Sequence, residues 1–217
     1  NSNAEPGPNA LYMATDTGVF ETRAKTSGAD NTFFGWGTWF WDADLDGDLD
    51  LMGVNGWVQP EWHTRAQFFL GRGDGTFIDA GLNSGLDHQG NTRGLVPIDL
   101  ENDGDIDIIV TDVFGKAVVL RNDTDRADNA WVRVRLRGTT SNRRGVGSKV
   151  VVTVGDRTWR HDVFVGGSFY SAPPLEAHFG LGEVDSIDEL RVVFPSGREA
   201  VLADVDPNQL ITVSEPM

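Results

Sequence analysis

An all-β fold is what this sequence predicts, and three features carry that expectation. Apolar and polar residues alternate with period two over several short runs, turn sequences separate those runs, and one strand-rich unit occurs twice. Twenty-six glycines and only three lysines among 217 residues favour tight turns over exposed amphipathic helices. An apolar content of 39% with seven tryptophans gives the chain enough to bury, which argues against disorder.

Charge and composition narrow the functional classes. A formal net charge of −15 argues against a nucleic-acid partner, whose phosphates call for a basic surface. The chain contains no cysteine, so disulfides and thiolate metal sites are out. No run approaches the roughly 18 apolar residues of a membrane span, and no signal peptide is visible.

Residues 1–10 are polar and rich in Pro and Asn, and read as a flexible arm or a processed terminus. Two repeats follow over 11–121. A shift of 57 residues puts Leu11-Tyr12-Met13 on Phe68-Phe69-Leu70, Gly18-Val19-Phe20 on Gly75-Thr76-Phe77, and Ser27-Gly28 on Ser84-Gly85, without a gap. The same shift brings Gly37 onto Gly94 and Asp42 onto Asp99. Repeats of this length signal stacked or radial architectures. Each unit reads as strand, tight turn, strand, loop, strand, acidic loop, strand. Thr15-Asp16-Thr17-Gly18 and Arg72-Gly73-Asp74-Gly75 supply the hairpin turns.

The acidic loops are the candidate sites. In the first, Asp42, Asp44, Asp46, Asp48 and Asp50 place a carboxylate at every second position, with Gly47 among them. Such carboxylates repel one another unless a cation sits between them. A hard ion with six to eight oxygen ligands, calcium, suits that crowding. Asp42, Asp44 and Asp46 are expected to turn inward, residue 48 to offer its backbone carbonyl, and Asp50 to close the cage. The loop is not an EF-hand, because the twelfth position from Asp42 is Gly53 rather than a bidentate glutamate. The second loop holds Asp99, Glu101, Asp103, Asp105 and Asp107 around Gly104. Glu101 is one methylene longer than the aspartate it replaces, so it is expected to bind through water or push the ion off centre. Two calcium sites are expected.

These residues resemble FG-GAP/VCBS repeats, the calcium-loop blades of integrin-type β-propellers. The likeness rests on Gly35-Trp36-Gly37-Thr38, Gly73-Asp74-Gly75-Thr76-Phe77 and the two acidic loops. It implies four-stranded blades with calcium bound in the loops. A propeller needs about four to eight blades, and here there are two. The expectation is therefore an incomplete propeller: a fragment, a sheet completed by other subunits, or blades packed without closure.

Residues 122–130 are polar and read as a linker, with Asn122-Asp123-Thr124 a formal N-glycosylation sequon. From Trp131 to Met217 a small antiparallel β-sandwich-like domain is expected. Trp131-Val132-Arg133-Val134-Arg135-Leu136-Arg137 alternates apolar and basic, its arginines on a face that is either solvated or turned towards acidic surface. Lys149–Val154 and Arg157–Trp159 flank a tight turn, and 190–194 and 210–213 add strands. This half resembles the ASPIC/UnbV domain, which follows FG-GAP repeats in secreted bacterial proteins and in the cartilage acidic protein family. Ser141–Gly147, His178-Phe179-Gly180-Leu181-Gly182, Phe194-Pro195-Ser196-Gly197, Asn208-Gln209 and Val213-Ser214-Glu215 carry the likeness, with Phe194 in place of the family's usual tryptophan.

No catalytic constellation is legible. His63, His88, His161 and His178 are scattered, no serine sits in a nucleophile elbow, and the acids are absorbed by the loops. The expectation is a non-enzymatic, extracellular or cell-surface calcium protein acting in adhesion or self-assembly, partnered by itself or another extracellular protein. The alternative is a carbohydrate-binding module or a fragment of a secreted polysaccharide-active protein, suggested by Trp36, Trp39, Trp41, Trp57 and Trp62. Those aromatics serve equally as core or subunit contact.

Overall fold

Glycine turns and acidic loops cut the chain into short strands, which a computed structural model describes over residues 9–15, 17–30, 35–57 and 64–217. Residues 1–8 of the expected arm, together with Trp62 and His63, lie outside the described residues. The fold is all-β, with two single-turn helices among the described residues.

In the first half these are β1 (Tyr12–Ala14), β2 (Phe20–Thr22), α1 (Ala24–Ser27), β3 (Thr38–Trp41), β4 (Asp50–Gly53), β5 (Thr64–Arg65), β6 (Gln67–Gly71), β7 (Phe77–Asp79), α2 (Gly81–Ser84), β8 (Gln89–Gly90), β9 (Thr92–Ile98), β10 (Asp107–Asp112) and β11 (Val118–Leu120). The sequence repeat is a structural one. Moved by 57 positions, β2 falls on β7 and α1 on α2, while β1, β3 and β4 fall within β6, β9 and β10. Both helices end on a left-handed glycine, Gly28 and Gly85, which glycine adopts without the Cβ penalty. The sequence pattern had not suggested these turns.

Four antiparallel strands in the order β3-β4-β6-β7 form one sheet, so a sheet takes two strands from each repeat. At the ends the repeats leave partial sheets, the β1-β2 hairpin and the three-stranded β11-β10-β9. No sheet among the described residues closes on itself. Met52 and Phe68 of one sheet and Leu95, Ile108 and Val110 of the other pack in a single core with Trp41. Alternate residues of β4 and β10 enter that core, as the period-two pattern requires.

The second half holds β12 (Ala130–Arg137), β13 (Lys149–Val154), β14 (Arg157–Asp162), β15 (Ala177–Gly182), β16 (Ile187–Val193), β17 (Glu199–Val205) and β18 (Gln209–Ser214). Two sheets, β15-β12-β18 and β14-β13-β16-β17, enclose one core of Val132, Val134, Val150, Val152, Leu190 and Val192 with their neighbours. The expectation of a wholly antiparallel domain needs one correction. β12 and β18 run parallel over six residue pairs, because the intervening chain crosses to the other sheet and returns. Glu215 pins the end of β18. It is only 2% exposed and accepts hydrogen bonds from the backbone N–H groups of Thr139, Thr140 and Ser141 and from the hydroxyls of Ser141 and Ser196. Burial alone would raise its pKa, but these donors outweigh that and hold the carboxyl far below the usual range.

Candidate metal centre at the junction of the two halves

The first acidic loop is built by its own carboxylates. Asp42 follows β3 and accepts the N–H groups of Asp46 (3.1 Å) and Gly47 (2.8 Å). Asp50 opens β4 and accepts those of Ala43 and Gly71, both at 2.8 Å. Leu45 at φ 62° and Gly47 at φ 91° make the two sharp bends this requires. As a result Asp42, Asp44 and Asp50 converge, with one carboxylate oxygen from each lying within 4.8 Å of the others. Oδ1 of Asp44 is buried and has no hydrogen-bond partner. Burial, and after it the charges of the neighbouring aspartates, push Asp42 up to about 8 against the opposing Gly47 N–H. Burial likewise pushes Asp50 up to about 7 against the N–H groups of Gly71 and Ala43, and raises Asp46 as well. An all-oxygen set strained by its own charge fits a hard divalent cation. Of the other expected ligands, Asp46 bonds the N–H of Asp48 through Oδ1, and the Asp48 side chain turns to Arg157 at 3.2 Å.

The second loop repeats the backbone and changes the side-chain partners. Asp99 accepts the N–H groups of Asp103 and Gly104, and Asp107 those of Leu100 and Asn122. However, Asp99 also pairs with the guanidinium of Arg133, and both side chains are almost fully buried, at 1% and 7% exposure. Nη2 of Arg133 donates to Oδ1 of Asn102 (3.2 Å) and lies 3.1 Å from Glu176. Glu101 is exposed and faces Arg121 at 3.8 Å, while Arg126 donates to the carbonyl of Asp103. Asp105 is buried with Oδ1 unpartnered. Its burial, then a hydrogen bond shared with Asp103 and the charges of Asp103 and Asp107, push it up to about 7. The convergence seen at Asp42, Asp44 and Asp50 has no counterpart here among the described residues.

Both loops are clamped by the outer face of the β15-β12-β18 sheet and by β14. Trp159 Nε1 donates to the carbonyl of Gly47, and His178 Nε2 bonds that of Gly104, each at 2.7 Å. His178 is half-buried, and desolvation of its ring lowers its pKa to about 4. It is therefore neutral, and its Nε2–H tautomer serves the carbonyl. Gly180 lets the β15 backbone lie against Asp42 and Leu45, and Gly104 lies against the ring of Trp131. The stretch read as a linker is part of the junction: Asn122 and Asn129 donate their side-chain amides to the carbonyls of Ala43 and Asp44. The sequon asparagine is thus engaged in the loop.

The aromatic cluster of the first half meets the second half. Trp36 packs on Phe169 with ring centres 5.0 Å apart, Trp39 on Phe164 at 6.1 Å, and Trp41 enters the core against Phe68. Between the halves lies a cleft of about 520 Å³ whose walls include Trp39, Phe40, Trp159, Glu176 and His161. Arg133 takes up one of the expectations for its strand, a face turned towards acidic surface, whereas the sequence reading gives Trp159 no role. The signal for Arg133 is the basic face of Trp131–Arg137, alternating beside so acidic a protein.

No curated protein matches this chain. Residues 138–217 match the family model described as ASPIC and UnbV, which places an ASPIC/UnbV domain from the end of β12 through β18 and leaves Arg133 just outside it.

Proposed function

We propose that this is a non-enzymatic, extracellular calcium-binding protein whose first repeat holds a structural ion through Asp42, Asp44 and Asp50. The observation carrying this reading is the buried, partnerless Oδ1 of Asp44 within reach of two further carboxylates. Calcium there neutralises a loop on which the second half rests, so it stiffens the junction between the halves. The element-by-element repeat supports the FG-GAP/VCBS likeness of residues 11–121. The test is calcium titration of chelator-stripped protein, with melting measured in parallel. Binding and a raised Tm are expected, and Asp44→Asn should weaken affinity at least tenfold. Silent titration with unchanged melting would end this reading.

The adhesive or self-assembling role rests on the partial sheets. Among the described residues, β1 and β2 pair only with each other, whereas their counterparts β6 and β7 continue into a sheet with β4 and β3. Tyr12, Val19 and Phe20 leave that hairpin apolar and exposed, an edge suited to strand pairing with another copy. Light scattering in millimolar calcium checks this, with a mass above one chain expected. The carbohydrate reading keeps one specific support, the tryptophan-lined cleft. Tryptophan fluorescence that changes on adding glycans would favour it.

A further inference from the structure

We infer that the guanidinium of Arg133 stands in for a metal ion in the second loop, so that the chain holds one calcium where its two acidic loops suggest two. The count of one rests on the calcium reading of the first loop; the substitution by Arg133 stands on its own geometry.

The donors that grip Arg133 are the kind a calcium ion would take. Asp99, the first residue of its loop, gives a carboxylate oxygen, Asn102 an amide oxygen at 3.2 Å, and Glu176 backs the fork at 3.1 Å. At the matching place in the first loop no side-chain cation among the described residues pairs with Asp42. The backbone of Gly180 lies there instead, with no side chain to offer. The third positions diverge in the same sense. Asp44 points inward with a free oxygen, whereas Glu101 has swung out to Arg121.

Charge tells the same story. Three arginines stand at the second loop: Arg133 pairs with Asp99, Arg121 faces Glu101, and Arg126 donates to the carbonyl of Asp103. Among the described residues, the first loop's acids have one ion pair, that of Asp48 with Arg157, whose side chain is half exposed, while the loop's inner carbonyls receive the neutral amides of Asn122 and Asn129. A guanidinium never loses its proton, and its planar fork fits carboxylate and amide oxygens. An incoming divalent ion would have to displace a permanent, buried cation anchored on β12. The second loop is therefore a metal-free latch between the halves.

Native mass spectrometry and calorimetric titration of the full, chelator-stripped chain with calcium chloride test this. Wild type is expected to bind one ion, and Arg133→Gln or Arg133→Met to gain one more, taken up by Asp99 and the unpartnered Oδ1 of Asp105. Asp103→Asn should leave the count at one and the affinity within about twofold, whereas Asp44→Asn should weaken the tight ion at least tenfold. Two ions in wild type, a tight ion lost in Asp103→Asn, or a folded Arg133 variant without an added ion would overturn the inference. If neither Arg133 variant folds, the Asp103→Asn and Asp44→Asn pair decides. A wild-type count of zero sinks the first-loop reading alone, and gain of an ion by an Arg133 variant still decides the role of Arg133.

Discussion

Loops 42–50 and 99–107 share one backbone. In each the first carboxylate accepts the N–H groups of the fifth and sixth residues, and the ninth accepts that of the second. In each, too, the fourth residue and the glycine take positive φ, Leu45 with Gly47 and Asn102 with Gly104. What differs lies opposite. The first loop faces glycine backbone and neutral amides, and the second faces a buried arginine. The carboxylate–amide bonds thus set the loop's shape, and the surface it docks against sets how its charge is balanced.

The largest effect that would sharpen this comparison is the response to pH. Asp42 and Asp50 have folded pKa values of about 8 and about 7, above the unfolded 3.8, so their ionisation opposes folding. The stability they lend is full below pH 3.8 and is lost as pH rises through 7 to 8. Above the ordinary histidine pKa of 6.5 the lowered His161 and His178 are neutral in both states, leaving the carboxyls to dominate. In chelator, Tm should fall from pH 6.5 to about 8 and level off above it, and calcium should remove the first loop's share. The residue left in calcium belongs to Asp105, at about 7, and should vanish in Asp105→Asn. A wild-type profile that is flat in chelator would break the contrast.

Next in size is a matched pair of truncations. Asp50→Ala and Asp107→Ala each remove two charge-assisted backbone hydrogen bonds, worth about 3–6 kcal/mol together. In chelator the Asp50 variant should lose less, because the truncation also removes a carboxyl whose ionisation opposes folding. In calcium only the Asp50 variant should lose more, as read from urea unfolding in both buffers.

Smaller again is the glycine pair. Alanine at Gly47 or Gly104 incurs about 1 kcal/mol for positive φ. At Gly104 the added methyl also runs into the Trp131 ring, for roughly 1–3 kcal/mol more, whereas at Gly47 it meets only the mobile end of Arg157. Equal costs in thermal melts would mean that the second loop is not pressed on β12.

Sequence reading reached the repeat, its hairpins and both acidic loops because those are local: fixed spacings of Asp and Gly carry them. The signature residues of the second half are also local, and Glu215 now has a structural reason as the acceptor that ties β18 to the 139–141 turn. Asp99 in a buried ion pair was not legible. Its partner lies 34 residues on, in a strand whose alternation says only that Arg133 faces away from the core. The parallel β12–β18 pairing escaped for the same reason, since period two is silent on strand direction.

That parallel pairing has a mechanical consequence. Tension applied between Ala130, where β12 begins, and Ser214, where β18 ends, draws the two strands past each other along their length. The bonds of all six paired positions, Val132 to Gln209 through Arg137 to Ser214, share that load at once. An antiparallel hairpin pulled from its open end parts one rung at a time. Here the strand pair resists as a whole, and under such tension the second half is a shear-loaded link.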